Sequence, residues 1–215
     1  ANLICAYGML IGFMLQGYGL YSIMFSTCSI FTSYIFMYFV WSDLKSQLHK
    51  KIEFLWFRAA TFFNSLSSVG AFALAYMMVK KNIDQDLHLA SIYFFLHFQY
   101  NGWFSFVIFG LLSGKLQEVG AHFRILRLIF YLFFAACIPA YFLSALWLPI
   151  PAMVYIVVVI SALLQVSGWI WLMLLLKKVG KVISAGISRM QYMIIMLSLV
   201  AFSIKFMLQL GSTIP

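Results

Sequence analysis

The sequence predicts an all-α fold, a polytopic bundle of about seven transmembrane helices forming a single domain over residues 1–215. Three observations carry this expectation. Hydrophobic residues make up 65% of the chain and charged residues only 9%, with a mean hydropathy of +1.00. A soluble domain covers its surface with roughly 25% charged residues, so lipid is the expected solvent. Apolar runs of about 20 residues, the length that crosses a bilayer at 1.5 Å per residue, recur along the chain. The cations are confined to short stretches between those runs.

The first span covers 1–16, and Gln16-Gly17-Tyr18-Gly19 reads as a tight turn into the second, 20–41. The third covers 54–79, the fourth 89–112, the fifth 125–147, the sixth 152–176 and the seventh 192–210. The runs are continuously apolar and lack the alternation of a membrane β-barrel. Gly8 with Gly12, Ala71 with Ala75, and Ala136 with Ala140 are small pairs at i, i+4 that let helices approach closely. Pro139 removes a backbone donor and should kink the fifth span. Pro149-Ile150-Pro151 closes a short loop after it. The chain begins and ends against hydrophobic runs, so an internal piece of a longer protein is expected. No repeat, linker or signal peptide stands out.

Loop charge sets an orientation. Lys45, Lys50, Lys51, Arg58, Lys115, Arg124, Arg127, Lys177, Lys178, Lys181 and Arg189 fall on one side, and Lys80 and Lys81 on the other, near Asp84 and Asp86. The positive-inside rule puts loops 42–53, 113–124 and 177–191 in the cytoplasm, with the chain expected in an inner (cytoplasmic) membrane. Trp41, Trp56 and Trp171 then fall near inner ends and Trp147 near an outer end, as an aromatic belt would place them. The net charge of +9 reads as attraction to anionic membrane lipid, not to nucleic acid. Cys5, Cys28 and Cys137 lie in apolar runs and read as packing residues, with no zinc spacing.

Polar residues within spans are costly and therefore informative. Tyr93, His97 and Asn101 are four apart and share a face of an ideal helix, with Tyr100 beside them. His97 lies roughly 12 Å along the fourth span from residue 89. A neutral imidazole there either serves a metal or proton path or is a buried residue bonded to a neighbouring helix. Lys205 reads as part of an ion path or as a snorkelling lysine. Asn64, Ser65, Ser67 and Ser68, and separately Gln165, read as helix–helix hydrogen-bonding groups. His49, His88 and His122 are expected in solvated loops. Asp43, Glu53, Asp84, Asp86 and Glu118 are all expected in loops, so a carboxylate-driven proton pump is not expected. No phosphate loop or HExxH motif occurs.

The string Tyr93-Phe94-Phe95-Leu96-His97-Phe98-Gln99-Tyr100 resembles the helix of heme-copper oxidase subunit I that carries a copper-ligating His after aromatic residues. HFQYNGW (97–103), IPAYFLSALWLP (138–149) and QLGSTIP (209–215) look like a Bacteroidetes-type membrane family described as similar to that subunit. The resemblance implies a divergent subunit I-like protein, heme-binding through ligands outside this stretch, and linked to respiration or nitric oxide handling. It implies other respiratory-type subunits as partners. It marks His97 as a cofactor-binding residue, with Tyr93, Tyr100 and Asn101 around it. Two departures stand out. The fifth span lacks the His pair of true oxidases, and Asn101 stands where one oxidase class has Tyr. Copper is therefore not expected. The alternative is a transporter or structural multi-pass protein without a redox cofactor.

Overall fold

The computed structural model describes the chain except residues 18, 46–50, 81–83, 149, 185–186 and 214–215, and it describes only the backbone of 181–184. Among the described residues there is helix and no strand. The order is α1 (Asn2–Gln16), α2 (Leu20–Leu44), α3 (Ile52–Lys80), α4 (Gln85–His97), a π segment (Phe98–Phe104), α5 (Ser105–Glu118), α6 (Phe123–Cys137), a 3₁₀ segment (Pro139–Ala145), α7 (Ala152–Ser184) and α8 (Arg189–Gly211). Every expected span is helical.

Length and apolarity alone do not establish about seven spans. Among the described residues, four helices are long and apolar enough to cross a membrane: Leu20–Leu44, Ile52–Lys80, Ala152–Gly180 and Arg189–Gly211. The α6 helix and its 3₁₀ continuation, bent by 45°, make a fifth if counted as one span. The expected first span is a helix of only 15 residues. The expected fourth is divided by the π segment into helices of 13 and 14 residues. The bend falls at Pro139, as its missing N–H requires.

Large apolar side chains face outward throughout, among them Met14 at 78%, Val79 at 77% and Met153 at 81% exposed. Water would not tolerate so continuous an apolar surface. These are the helices of a membrane-embedded, multi-pass protein.

The chain forms two compact units. The first comprises Ala1–Leu48 with Phe57–Phe106, the second His49–Trp56 with Val107–Pro215. In the first unit, Gly17 turns the chain from α1 into α2 at φ 60°, a conformation that glycine adopts without a Cβ clash. The buried Ser22 hydroxyl lies 2.8 Å from the carbonyls of both Gly17 and Gly19, and accepts from Gly19 N at 3.0 Å. Tyr18 is outside the described residues. Gly8 packs against the Phe25 ring, and a Cβ on Gly12 would lie 3.1 Å from Ser22 N, so the small pair works as expected. Gly70 is the closer approach: a Cβ there would sit 2.5 Å from Ser91 O and 2.9 Å from Phe95 N. Trp41 Nε1 donates to Thr61 Oγ1 at 2.9 Å and carries the Arg58 guanidinium 4.7 Å above its ring. Asp84 begins α4 by accepting from Asp86 N and Leu87 N, both at 3.0 Å.

The second unit is built on aromatic rings. Trp56 is completely buried, 5.1 Å from Phe130 and 5.7 Å from Phe109. It belongs to the core and not to an interfacial belt, whereas Trp147 and Trp171 are exposed. Gly168 lets α7 meet Phe133 of α6, with a Cβ there only 3.0 Å from the ring. Ala136 and Ala140 are buried, as their small-pair spacing anticipates. Three hydrogen bonds join α7 to the end of the chain: Gln209 Nε2 to Gln165 Oε1 at 2.7 Å, Trp169 Nε1 to Ser203 Oγ at 3.0 Å, and Tyr155 Oη to Thr213 O at 2.7 Å. Ser188 and Gln191 form a reciprocal cap at the start of α8.

Several residues expected in loops stand on helices. His88 lies in the first turns of α4, half-buried, and Asp43, Glu53, Asp86 and Glu118 lie near helix ends. His122 is exposed at the start of α6, and His49 is outside the described residues. Lys115 donates to Glu118 at 2.6 Å, which draws the carboxyl below its ordinary range. Both groups are exposed, so the pair adds little stability.

Candidate functional site

A cavity of about 630 Å³ lies within the first unit, lined by α1, α2, α3, α4 and the start of the π segment. Most of its wall is apolar, including Phe13, Ile30, Phe72, Ala75 and Phe95. Its polar lining is Ser26, Thr27, Ser29, Ser33 and Tyr34 from α2, Asn64, Ser67 and Ser68 from α3, and Gln99 from the π segment. Its volume lies within the roughly 300–1,000 Å³ of small-molecule sites, and an apolar wall with a few convergent polar groups is their usual composition.

Helical periodicity builds the α3 part of this lining. Asn64 with Ser67 or Ser68 recurs at three and four residues and so falls on one face of α3. Ser67 and Ser68 are 1% and 3% exposed and turn their protons back to the carbonyls of Asn64 and Ser65, each at 2.6 Å. Their oxygens are then left as acceptors. Tyr34 bonds to Ser68, and Gln99 Nε2 donates to Ser67 Oγ at 2.7 Å and to Asn64 Oδ1 at 2.8 Å. The expected helix–helix role of the Asn64–Ser68 patch is thus met, with Ser65 reaching the Met37 sulfur at 3.3 Å. Tyr34 and Gln99 did not stand out in the sequence; a single polar residue within an aromatic-rich run is weak signal on its own.

His97 is the last residue of α4, 5% exposed. Asn101 Nδ2 lies 3.0 Å from its Nδ1, within hydrogen-bond distance. The ring meets Phe98 edge-on at 5.1 Å. Tyr93 and Tyr100 are 38% and 61% exposed, and Tyr100 stacks on Phe104 at 5.9 Å. The structure therefore brings His97 and Asn101 together and leaves the two tyrosines on the surface. Beyond His97 the backbone leaves α-helical geometry. There Ser105 N bonds back five residues to Tyr100 O, and Ser105 Oγ joins the same carbonyl at 2.7 Å.

Lys205 in α8 holds its ammonium 5.0 Å over the buried Phe206 ring and 5.7 Å over Phe202. That cation–π seat is an arrangement neither reading of the sequence anticipated. Cys5 and Cys137 are buried and Cys28 is exposed, all as free thiols. Among the described residues, no group of three or more His, Cys, Asp or Glu side chains is arranged to hold a metal ion.

Comparison of the chain with protein-family models, with curated proteins and with solved structures finds no match.

Proposed function

We propose that the chain is the membrane part of a transporter or ligand-binding protein that takes a membrane-soluble small molecule into the cavity of its first unit. The observation that carries this reading is the cavity itself, apolar over most of its wall and crossed by one hydrogen-bonded polar strip. In lipid, polar groups left facing a cavity are costly unless something satisfies them. The cation distribution supports an orientation with loops 42–53, 113–124 and 177–191 in the cytoplasm, and the sequence resemblance supports a bacterial inner membrane as the setting. Native mass spectrometry after gentle extraction tests the ligand. The wild type should retain a lipophilic species that Ala71→Trp, which fills the cavity, releases. Equal retention by both would end this reading.

One observation favours a second reading, a divergent relative of heme-copper oxidase subunit I. The resembling motif coincides with the buried His97 and the π segment, and π segments recur at functional sites. On this reading we propose no copper at His97, whose Nδ1 lies 3.0 Å from Asn101 Nδ2. In such a protein His97 is a buried polar contact, and a heme would draw its axial ligands from other residues. A Soret band in the purified full-length protein would favour this reading over the first.

A further inference from the structure

Resting on the ligand-binding reading above, we infer that the cavity selects an uncharged hydroxyl headgroup on an otherwise apolar molecule, and that Asn64 and Gln99 recognise it. The first argument is charge. The lining contains no Asp, Glu, Lys, Arg or His. An ion brought there would shed its hydration without meeting a counter-charge, so a neutral molecule is favoured.

The second argument follows the protons. Ser67 spends its only proton on the Asn64 carbonyl, so the Gln99 atom facing it at 2.7 Å must be the amide nitrogen. That nitrogen uses its other proton on Asn64 Oδ1 at 2.8 Å, which fixes the orientation of Asn64 as well. Two capacities remain. Asn64 Nδ2 has protons to donate, Gln99 Oε1 has lone pairs to accept with, and among the described residues neither atom is engaged in a hydrogen bond. Ser68 likewise spends its proton on Ser65 O, so Tyr34 donates to Ser68 and offers no proton of its own.

The open groups of this amide pair are thus one donor and one acceptor, on two amides already joined to each other. A carbonyl or ether headgroup satisfies only Asn64. An amine satisfies only Gln99 and brings a charge. A hydroxyl meets both with one oxygen. The apolar body then lies along Phe13, Phe72 and Phe95.

The test uses the protein in phosphatidylcholine nanodiscs and three diazirine-bearing photoprobes of equal chain length: hexadecanol, its methyl ether and the matching trimethylammonium. Hexadecanol should label peptides carrying Tyr34 and Asn64–Ser68 about tenfold more than either counterpart, the ratio expected for one lost hydrogen bond to a buried partner. Gln99→Met, which removes the acceptor, should bring the alcohol-to-ether ratio close to one. Asn64→Leu should lower labelling by alcohol and ether alike, and Ala71→Trp should abolish it. Equal labelling of these peptides by all three probes in the wild type would overturn the hydroxyl inference while leaving the cavity as a ligand site. Failure of every probe to label them would remove the ligand-binding reading itself. The wild-type ratio decides the matter even if a variant does not fold.

Discussion

Gln99 and Asn64 are bonded side chain to side chain, Nε2 to Oδ1 at 2.8 Å, across two helical segments of the first unit. The bond depends on a local irregularity. Gln99 is the second residue of the π segment Phe98–Phe104, where the chain is wider than an α-helix and successive side chains advance by a smaller angle. Gly102 within this segment presses on Phe63, with a Cβ there only 2.5 Å from the Phe63 Cβ. The segment therefore lies tightly against α3 while Gln99 reaches Asn64 and Ser67.

Replacing Gln99 with Met should destabilise the fold by about 1 kcal/mol, the scale of interhelical hydrogen bonds in membranes. The change leaves Ser67 Oγ and Asn64 Oδ1 without their donor while keeping most of the side-chain volume. Equilibrium unfolding in mixed micelles measures it. A loss no greater than that from an exposed control such as Leu128→Met would show that the bond carries no net stability.

Gly70→Ala should cost about 1–3 kcal/mol, the usual range for overpacking. The new methyl would meet Ser91 O at 2.5 Å and Phe95 N at 2.9 Å, and backbone atoms in a helix cannot rotate away. Gly211→Ala is the control, because nothing lies within 4 Å of a Cβ there. If both variants melt alike, α3 and α4 have room to separate at Gly70.

These residues also show how far the sequence could be read. The helices follow from apolar runs, because a backbone in lipid must bond to itself. The Gly17 turn and the Pro139 bend follow from single-residue stereochemistry. The Asn64–Ser68 strip was visible because polar groups inside an apolar run need partners. The identity of those partners was not, since Tyr34 and Gln99 are set by helix packing and by the π segment, neither of which has a composition signature. Helical spacing also grouped Tyr93 and Tyr100 with His97, but both tyrosines lie on the surface, because spacing alone does not show how much of a helix face its neighbours cover. Trp56 was misplaced for a related reason: position near the end of an apolar run does not distinguish a belt residue from a core residue.

Orientation can be checked without a structure. In a Cys28→Ser background, which removes the exposed thiol, Glu118→Cys and Arg124→Cys should resist an impermeant maleimide in intact cells and react after the membrane is opened. Both positions are exposed and lie in the segment 113–124 assigned to the cytoplasm. Reaction in intact cells would reverse the assignment from loop charge.

His97→Ala should cost about 1–2 kcal/mol, because it removes the contact with Asn101 Nδ2 and empties a buried site. His97→Gln should recover part of the loss by offering Asn101 a carbonyl oxygen as acceptor. Metal binding gives an independent readout. A tight copper site needs several ligands in one place, and the His97 Nδ1 that would be one of them lies 3.0 Å from Asn101 Nδ2, within hydrogen-bond distance. Copper titrated into the protein should therefore bind substoichiometrically, with the same isotherm for wild type and His97→Ala. One copper per chain, lost on substitution of His97, would mean that the Asn101 bond yields to the metal and that further donors gather around it. The oxidase-like reading would then displace the ligand-cavity one.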